Sequence, residues 1–313
     1  MVEDEQLGWQ TFSAHRNDSL EMARRSFSSH GLAIVRDVFS RAEVQHMRAN
    51  ILKKLPLFRP PRLVFRGGTL VNFLARPDFG FMGSVHSHPT LLAVLSQVVF
   101  PGEAFRFVSH NDIGIDRLVN WHKDRLNNQY AVWQRRSLWS DGGLEGHKIV
   151  KAAIYLQDHI LNNDSLVMVP GSWREPSMHL KPSPITLHPP LGSVVIFEQR
   201  ATHRGMLRRG LPSGVTYHGT GHHTSRSGAE QHVAVEKARP RLSKQDSGQR
   251  ILVSLGFGRD NNAWTDEFEQ GTRARQGDQC RRAFGSQPYC TPAIALPAGG
   301  ARHAAAPPVR RSA

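Results

Sequence analysis

From Ala104 onward the chain breaks into short β-type runs, at 105–109, 113–121, 149–157, 165–170, 184–188, 192–198 and 251–257. Clusters of Pro, Gly and Asn/Asp separate these runs, and no long helical pattern alternates with them. Parallel strands need long crossover connections, usually helical, so a parallel α/β sheet is excluded. Short strands punctuated by turn signals predict an antiparallel sandwich or barrel instead, and a double-stranded β-helix, or jelly roll, is its natural form.

Helical signals gather before residue 104. In Ser40-Arg-Ala-Glu43 the serine can cap a helix while the glutamate reaches back to it, and Phe39 can staple onto Val44. Apolar positions Val44, Met47, Ile51, Leu52 and Leu55 then recur with helical period until Pro56. A second helix is expected over 89–99, with Pro89 in its first turn and Leu91, Leu92, Leu95 and Val98 facing a core. The expected fold class is therefore mainly β (α+β): a jelly roll of cupin-like form carrying an N-terminal helical layer.

One domain is expected over 1–291, with the helical layer at about 1–103 and the β-helix core at about 104–270. Residues 206–248 are rich in Gly, Ser, Thr, Arg and His and poor in large apolar side chains, which reads as an insertion of low hydrophobicity. Residues 292–313, rich in Ala, Pro and Arg, read as a disordered basic tail.

The formal net charge of +14 raises the question of a polyanionic partner. Its distribution answers it. Residues 204–250 and 271–313 each supply +6, which leaves +2 for everything else. Stacking aromatics are not interleaved with these arginines, so no nucleic acid is expected as a partner. The first residues are acidic where a signal peptide would be basic, and no apolar run approaches the length of a membrane helix. The expectation is a soluble cytoplasmic protein with no membrane partner, its oligomeric state left open. Cys280 and Cys290 are too few for a disulfide framework and lack companions at zinc spacing, so reduced thiols are expected.

Chemistry enters at Trp121-His122-Lys123-Asp124, which follows a β-type run. One residue apart at a strand end, His122 and Asp124 can point the same way. An imidazole and a carboxylate presented together form two-thirds of the 2-His-1-carboxylate triad, which holds Fe(II) and leaves open coordination positions. A chain with 17 histidines is expected to hold about one His-x-Asp by chance, and a second copy, His110-Asn111-Asp112, is taken as that one.

Downstream come Lys151-Ala-Ala-Ile-Tyr-Leu-Gln-Asp158-His159, then 162–173 with Pro170-Gly171-Ser172-Trp173, then the run from Gly192 that ends in Thr202-His203-Arg204-Gly205. As an ordered set over about 105–270 these segments resemble the phytanoyl-CoA dioxygenase family of Fe(II)/2-oxoglutarate-dependent oxygenases. The resemblance implies an enzyme: a dioxygenase that hydroxylates or otherwise oxidises a small organic substrate, with 2-oxoglutarate converted to succinate and CO2. It implies Fe(II), 2-oxoglutarate and O2 as cofactor and co-substrates, with His122, Asp124 and His203 as metal ligands and no catalytic residue beyond the metal centre.

The family binds the far carboxylate of 2-oxoglutarate with an arginine that opens the strand soon after the distal histidine, a task suited to a planar guanidinium. Arg250, opening Ile-Leu-Val-Ser-Leu-Gly-Phe, matches by context, with Arg208 and Arg209 as alternatives. Arg250 is preferred because a strand fixes a guanidinium better than a loop. The chain departs from the family in the 47-position separation of His203 and Arg250, in Trp173 where a histidine is usual, and in Ser193 where an aspartate is frequent. A carboxylate at Asp124 argues against halogenation, since related halogenases keep that position small so that halide can reach the iron.

Other residues are weighed against plainer roles. Trp121 and Trp133 flank the motif and are candidates for a substrate pocket or for packing. His218, His222 and His223 read as solvated loop histidines, and His88, before the Pro-started helix, as an N-cap neighbour. The long His203 to Arg250 interval motivates an alternative function, a catalytically silent jelly-roll binding protein of the same fold.

Overall fold

The computed structural model describes residues 10–54, 69–115, 119–124, 146–159, 165–175, 183–205 and 249–284. Trp133, Arg208, Arg209, the expected insertion at 206–248 and the expected tail lie outside the described residues.

Helix α1 (Asn17–His30) turns Leu20, Ala23 and Phe27 inward and stops at Gly31, whose φ of 72° suits a left-handed C-cap. Helix α2 (Arg41–Lys54) starts as its sequence predicts: Ser40 N–H donates to Glu43 Oε2 at 2.7 Å, and Glu43 N–H donates to Ser40 Oγ at 3.2 Å. Helix α3 (Pro89–Val98) has Pro89 at its first position and His88 as its N-cap residue. The His88 side chain serves packing, with Nε2 3.2 Å from Glu43 Oε1 and its ring 4.4 Å from that of Phe39.

Strands β1 (Thr11–Ser13), β2 (Leu32–Arg36), β3 (Thr69–Val71), β4 (Phe105–Ile115), β6 (Ile149–Tyr155), β9 (Val194–Glu198) and β11 (Ile251–Arg259) form one sheet in the order β1-β2-β9-β6-β11-β4-β3. Strands β5 (Val119–His122), β7 (Leu166–Met168), β8 (Ile185–Thr186) and β10 (His203–Gly205) form a second, in the order β5-β10-β7-β8. From β4 to β11 the chain passes back and forth between the two sheets. Within this set every pairing is antiparallel. That winding is the expected jelly roll.

Strand alternation then divides the core. Val150, Ala152, Ile154, Val194 and Ile196 face the layer formed by α1, α2 and α3, whereas Ala153, Tyr155, Val195 and Phe197 meet Leu166 and Met168 of the small sheet. The inner face is where functional side chains can converge.

Three expectations need correction. The N-terminal layer is not purely helical, because β1, β2 and β3 extend the large sheet at both edges. Helix α4 (Ala263–Phe284) begins inside the stretch assigned to the β core. Its polar, arginine-rich composition hides a helical period, yet Asn262 Oδ1 caps it by accepting from the N–H groups of Trp264 and Thr265. Phe268 of α4 packs on Val108 and Ile149, so the helix closes the inner face beside β4. Finally, Cys280 is disulfide-bonded, not a reduced thiol. No helix among the described residues is long and apolar enough to cross a membrane.

Candidate metal centre

Strand β5 ends at His122 and strand β10 begins at His203, and the two are register partners across the antiparallel ladder. Their ring centroids lie 4.2 Å apart. Asp124, two residues beyond the strand end, turns back so that Oδ1 is 3.4 Å from His122 Nε2. One ligand atom from each of His122, Asp124 and His203 lies within 4.8 Å of the others. Among the described residues this is the single group of His, Cys, Asp or Glu side chains able to enclose a metal ion.

Hydrogen bonding prepares the donors. His203 Nδ1 lies 2.9 Å from Ala201 O and so carries the proton, which leaves the Nε2 lone pair for a metal. Burial, reinforced by His122, pushes the His203 imidazole down to about 3, so it is neutral at physiological pH. Burial alone would push the Asp124 carboxyl up. Lys151, with Nζ 2.6 Å from Oδ2, outweighs this together with the His122 contact and holds the group well below the ordinary carboxylate range. A neutral imidazole and an ionised carboxylate are the forms that ligate metals. Two nitrogens and one oxygen converging in this way suit a ferrous ion with open positions, so the residues present fit the group.

The Pro170-Gly171-Ser172-Trp173 turn supports the segment that carries His203. Gly171 takes a left-handed φ of 72°, and Ser172 Oγ accepts the Thr202 N–H at 2.8 Å, one residue before His203. Trp173, the departure from the resembled family, is a packing residue: its indole lies under the guanidinium groups of Arg174, at 4.5 Å, and Arg200, at 5.3 Å. A Cβ at Gly31 would collide with that indole.

Arg250 immediately precedes β11 and is buried. Leu252, Ser254 and Gly256 stand opposite Tyr155, Ala153 and Lys151 of β6, which places these even-numbered positions on the inner face that also bears the Asp124 partner. Arg250 continues that alternation. Trp121 lies beneath Arg204, whose guanidinium is 4.7 Å from the ring. Arg208, Arg209 and Trp133 lie outside the described residues.

The second His-x-Asp motif does not join the candidate centre. A bulge at Ser109, φ 59°, turns His110 inward against Gly256, where a Cβ would leave no room. His110 Nδ1 meets Arg275 at 3.2 Å, and Asp112 Oδ1 accepts from Gln276 at 3.2 Å, so α4 is bound to the inner face. The partners that sequence reasoning missed are Lys151, Arg275 and Lys123. A lysine in the middle of the apolar run Ile149-Val-Lys-Ala-Ala-Ile-Tyr155 was the available signal for the first.

No protein-family model matches the chain, and no curated protein matches it. Solved structures do. The non-heme alpha ketoglutarate dependent epimerase SnoN from nogalamycin biosynthesis is similar at 14% identity over 77% of this chain and 83% of that chain, with a TM-score of 0.52. The SnoN complex with Fe3+, alpha ketoglutarate and nogalamycin RO is similar at 13% identity over 78% and 84%, with a TM-score of 0.51. AviO1 from Streptomyces viridochromogenes Tue57 is similar at 13% identity over 77% and 96%, with a TM-score of 0.50. At these identities the likeness is one of fold: this chain is a cupin-type jelly roll with added helices. The resemblance to phytanoyl-CoA dioxygenases rests on its motifs.

Proposed function

We propose that this chain is an Fe(II)- and 2-oxoglutarate-dependent dioxygenase acting on a small organic substrate. The observation that carries the reading is the convergence of His122, Asp124 and His203 within 4.8 Å on the inner end of a jelly roll, with His203 and Asp124 in metal-binding forms. Similarity of fold to the epimerase SnoN supports the same general chemistry, and it widens the reaction from hydroxylation to oxidation of a substrate C–H more broadly.

In this reading His122, Asp124 and His203 hold the iron, and Arg250 grips the far carboxylate of 2-oxoglutarate through two parallel N–H donors. When bound, Fe(II), 2-oxoglutarate and O2 supply the oxidising power, and succinate and CO2 are released. The chain's own work is geometric. Phe197, with its ring centroid 5.1 Å from that of His203, and the inner-face apolar side chains keep water from the centre. Trp121, steadied by Arg204, forms one wall of the substrate pocket, and Trp133 is proposed for another.

Equilibrium binding tests it. The wild-type protein should bind Fe(II) under anaerobic conditions and then 2-oxoglutarate, His122→Ala should lose the metal, and Arg250→Ala should keep the metal but lose 2-oxoglutarate. A wild-type protein without affinity for Fe(II) would overturn the proposal.

One observation favours a second reading. The Lys151–Asp124 ion pair, at 2.6 Å, gives the carboxylate a counter-charge that needs no metal, as a catalytically silent jelly-roll binding protein would require. Metal binding without 2-oxoglutarate affinity would favour that alternative.

A further inference from the structure

Lys123 stands between two of the three candidate ligands, yet a metal centre has no use for an ammonium group in that place. It is fully buried, at 0% exposure. A charge buried to this degree is tolerated only where hydrogen bonds replace its water. With His122 and Asp124 turned one way, the Lys123 side chain leaves on the opposite side, away from the centre. There its Nζ donates to two backbone carbonyls, Ser172 O and Arg200 O, the second at 3.0 Å.

Those carbonyls belong to the two segments that govern the third ligand. Arg200 lies three residues before His203. Ser172 Oγ accepts the Thr202 N–H at 2.8 Å, and Val169 N–H donates to Thr202 O at 3.0 Å, so the Pro170-Gly171-Ser172 turn and the approach to His203 form one hydrogen-bonded unit. The β-ladder alone is a weak ruler here. Strand β5 has four residues, strand β10 has three, and their register shifts between His203 and Gly205. Ligands must nevertheless be held to within roughly 0.5 Å of their productive geometry.

We infer that Lys123 is a positioning residue for the metal centre, a cross-link from the segment carrying His122 and Asp124 to the unit carrying His203 that sets the span between proximal and distal ligands. It acts through backbone carbonyls and touches neither metal nor substrate. The inference rests on the metal reading of the site proposed above.

The test is a titration of the full-length protein with Co(II), whose visible absorption band reports ligand geometry as well as occupancy. Lys123→Met should weaken Co(II) binding by about 10- to 100-fold, the range found when supporting groups around metal ligands are lost, and should change the band. Lys123→Arg, which keeps N–H donors for both carbonyls, should recover most of the affinity and the wild-type band. A merely structural lysine would lower the melting temperature and leave the affinity and band of the folded protein unchanged. That result in Lys123→Met would overturn the inference while leaving the metal reading intact. Should Lys123→Met fail to fold, Ser172→Ala removes the Oγ hydrogen bonds to the Thr202 N–H and to Val169 O, loosening the unit that Lys123 ties down, and should weaken Co(II) in the same direction by a smaller factor; wild-type binding in it would overturn the inference. Failure of the wild type to bind Co(II) would overturn the metal reading and the inference together.

Discussion

Lys151 Nζ sits 2.6 Å from Asp124 Oδ2, on the carboxylate oxygen opposite the one that faces His122. Both side chains are largely buried, so each is the other's close counter-charge where water is scarce. Removing one partner of such a pair typically costs about 3–5 kcal/mol, because the other is left uncompensated. Lys151→Met should therefore lower apo-protein stability by an amount in that range in urea unfolding. A divalent ion can replace the lysine as counter-charge, so Co(II) should raise the melting temperature more in Lys151→Met than in wild type. Equal Co(II) shifts in the two proteins would contradict this picture.

Acid should destabilise the fold through His110. Burial holds its imidazole down to about 3, against an ordinary value of 6.5, with Asp112 and Asp124 pulling up and Lys151 and Arg275 pushing down. Ser254 Oγ is its remaining polar neighbour, at 3.4 Å. The sign follows from which state takes up the proton. Below 6.5 the unfolded chain binds a proton that the folded chain refuses until about 3, so stability falls as pH falls across that window. The slope from one such histidine is about 1.4 kcal/mol per pH unit. His110→Gln should flatten the dependence of unfolding free energy on pH by about that amount, as measured by urea denaturation at several pH values from 4 to 7. Parallel profiles for variant and wild type would remove His110 from the explanation.

If Arg250 holds 2-oxoglutarate as proposed, its replacement separates co-substrate binding from metal binding. Losing a buried, bidentate partner of a carboxylate costs about 2–5 kcal/mol, so Arg250→Ala should weaken 2-oxoglutarate by at least about 30-fold in calorimetry while Co(II) affinity stays near wild type. Arg250→Lys should recover only part, since an ammonium cannot form the fork. Wild-type affinity for 2-oxoglutarate in Arg250→Ala would transfer the role to Arg208 or Arg209.

Much of the fold was legible in the chain because local rules and tertiary structure agree. The Ser40–Glu43 box starts α2, Pro89 starts α3, and the apolar runs at 149–157 and 192–198 become β6 and β9. Elsewhere the signal was local but incomplete. The runs at 105–109 and 113–121 are continuous through 115 because the bulge at Ser109 lets β4 carry on past a polar Ser-His-Asn-Asp stretch; α4 ties that stretch down by tertiary contacts that no periodicity shows. Strand β2 went unread because five residues between two helices carry too little pattern, although Leu32 and Ile34 complete the inner face.

The site divides in the same way. His122, Asp124 and His203 could be picked out because each ends or begins near a β-type run in a recognisable order, and the structure brings all three together. Lys123 could not, because a lysine reads as a surface charge until its burial and its partners are known, and for Lys151 the sole signal was its place inside an apolar run. Trp173, in place of the family's usual histidine, departs from the motif; contacts with the Arg174 and Arg200 guanidinium groups and with Gly31 give it a packing role instead.

The most direct measurement is succinate formation by the purified protein with Fe(II), 2-oxoglutarate and O2, compared between wild type and His122→Ala. A dioxygenase centre built on His122, Asp124 and His203 should give succinate in the wild type, even slowly and without a prime substrate, and at least about 100-fold less in His122→Ala, where a ligand is missing. Equal succinate from both proteins, or none from a wild type loaded with Fe(II) and 2-oxoglutarate, would contradict it.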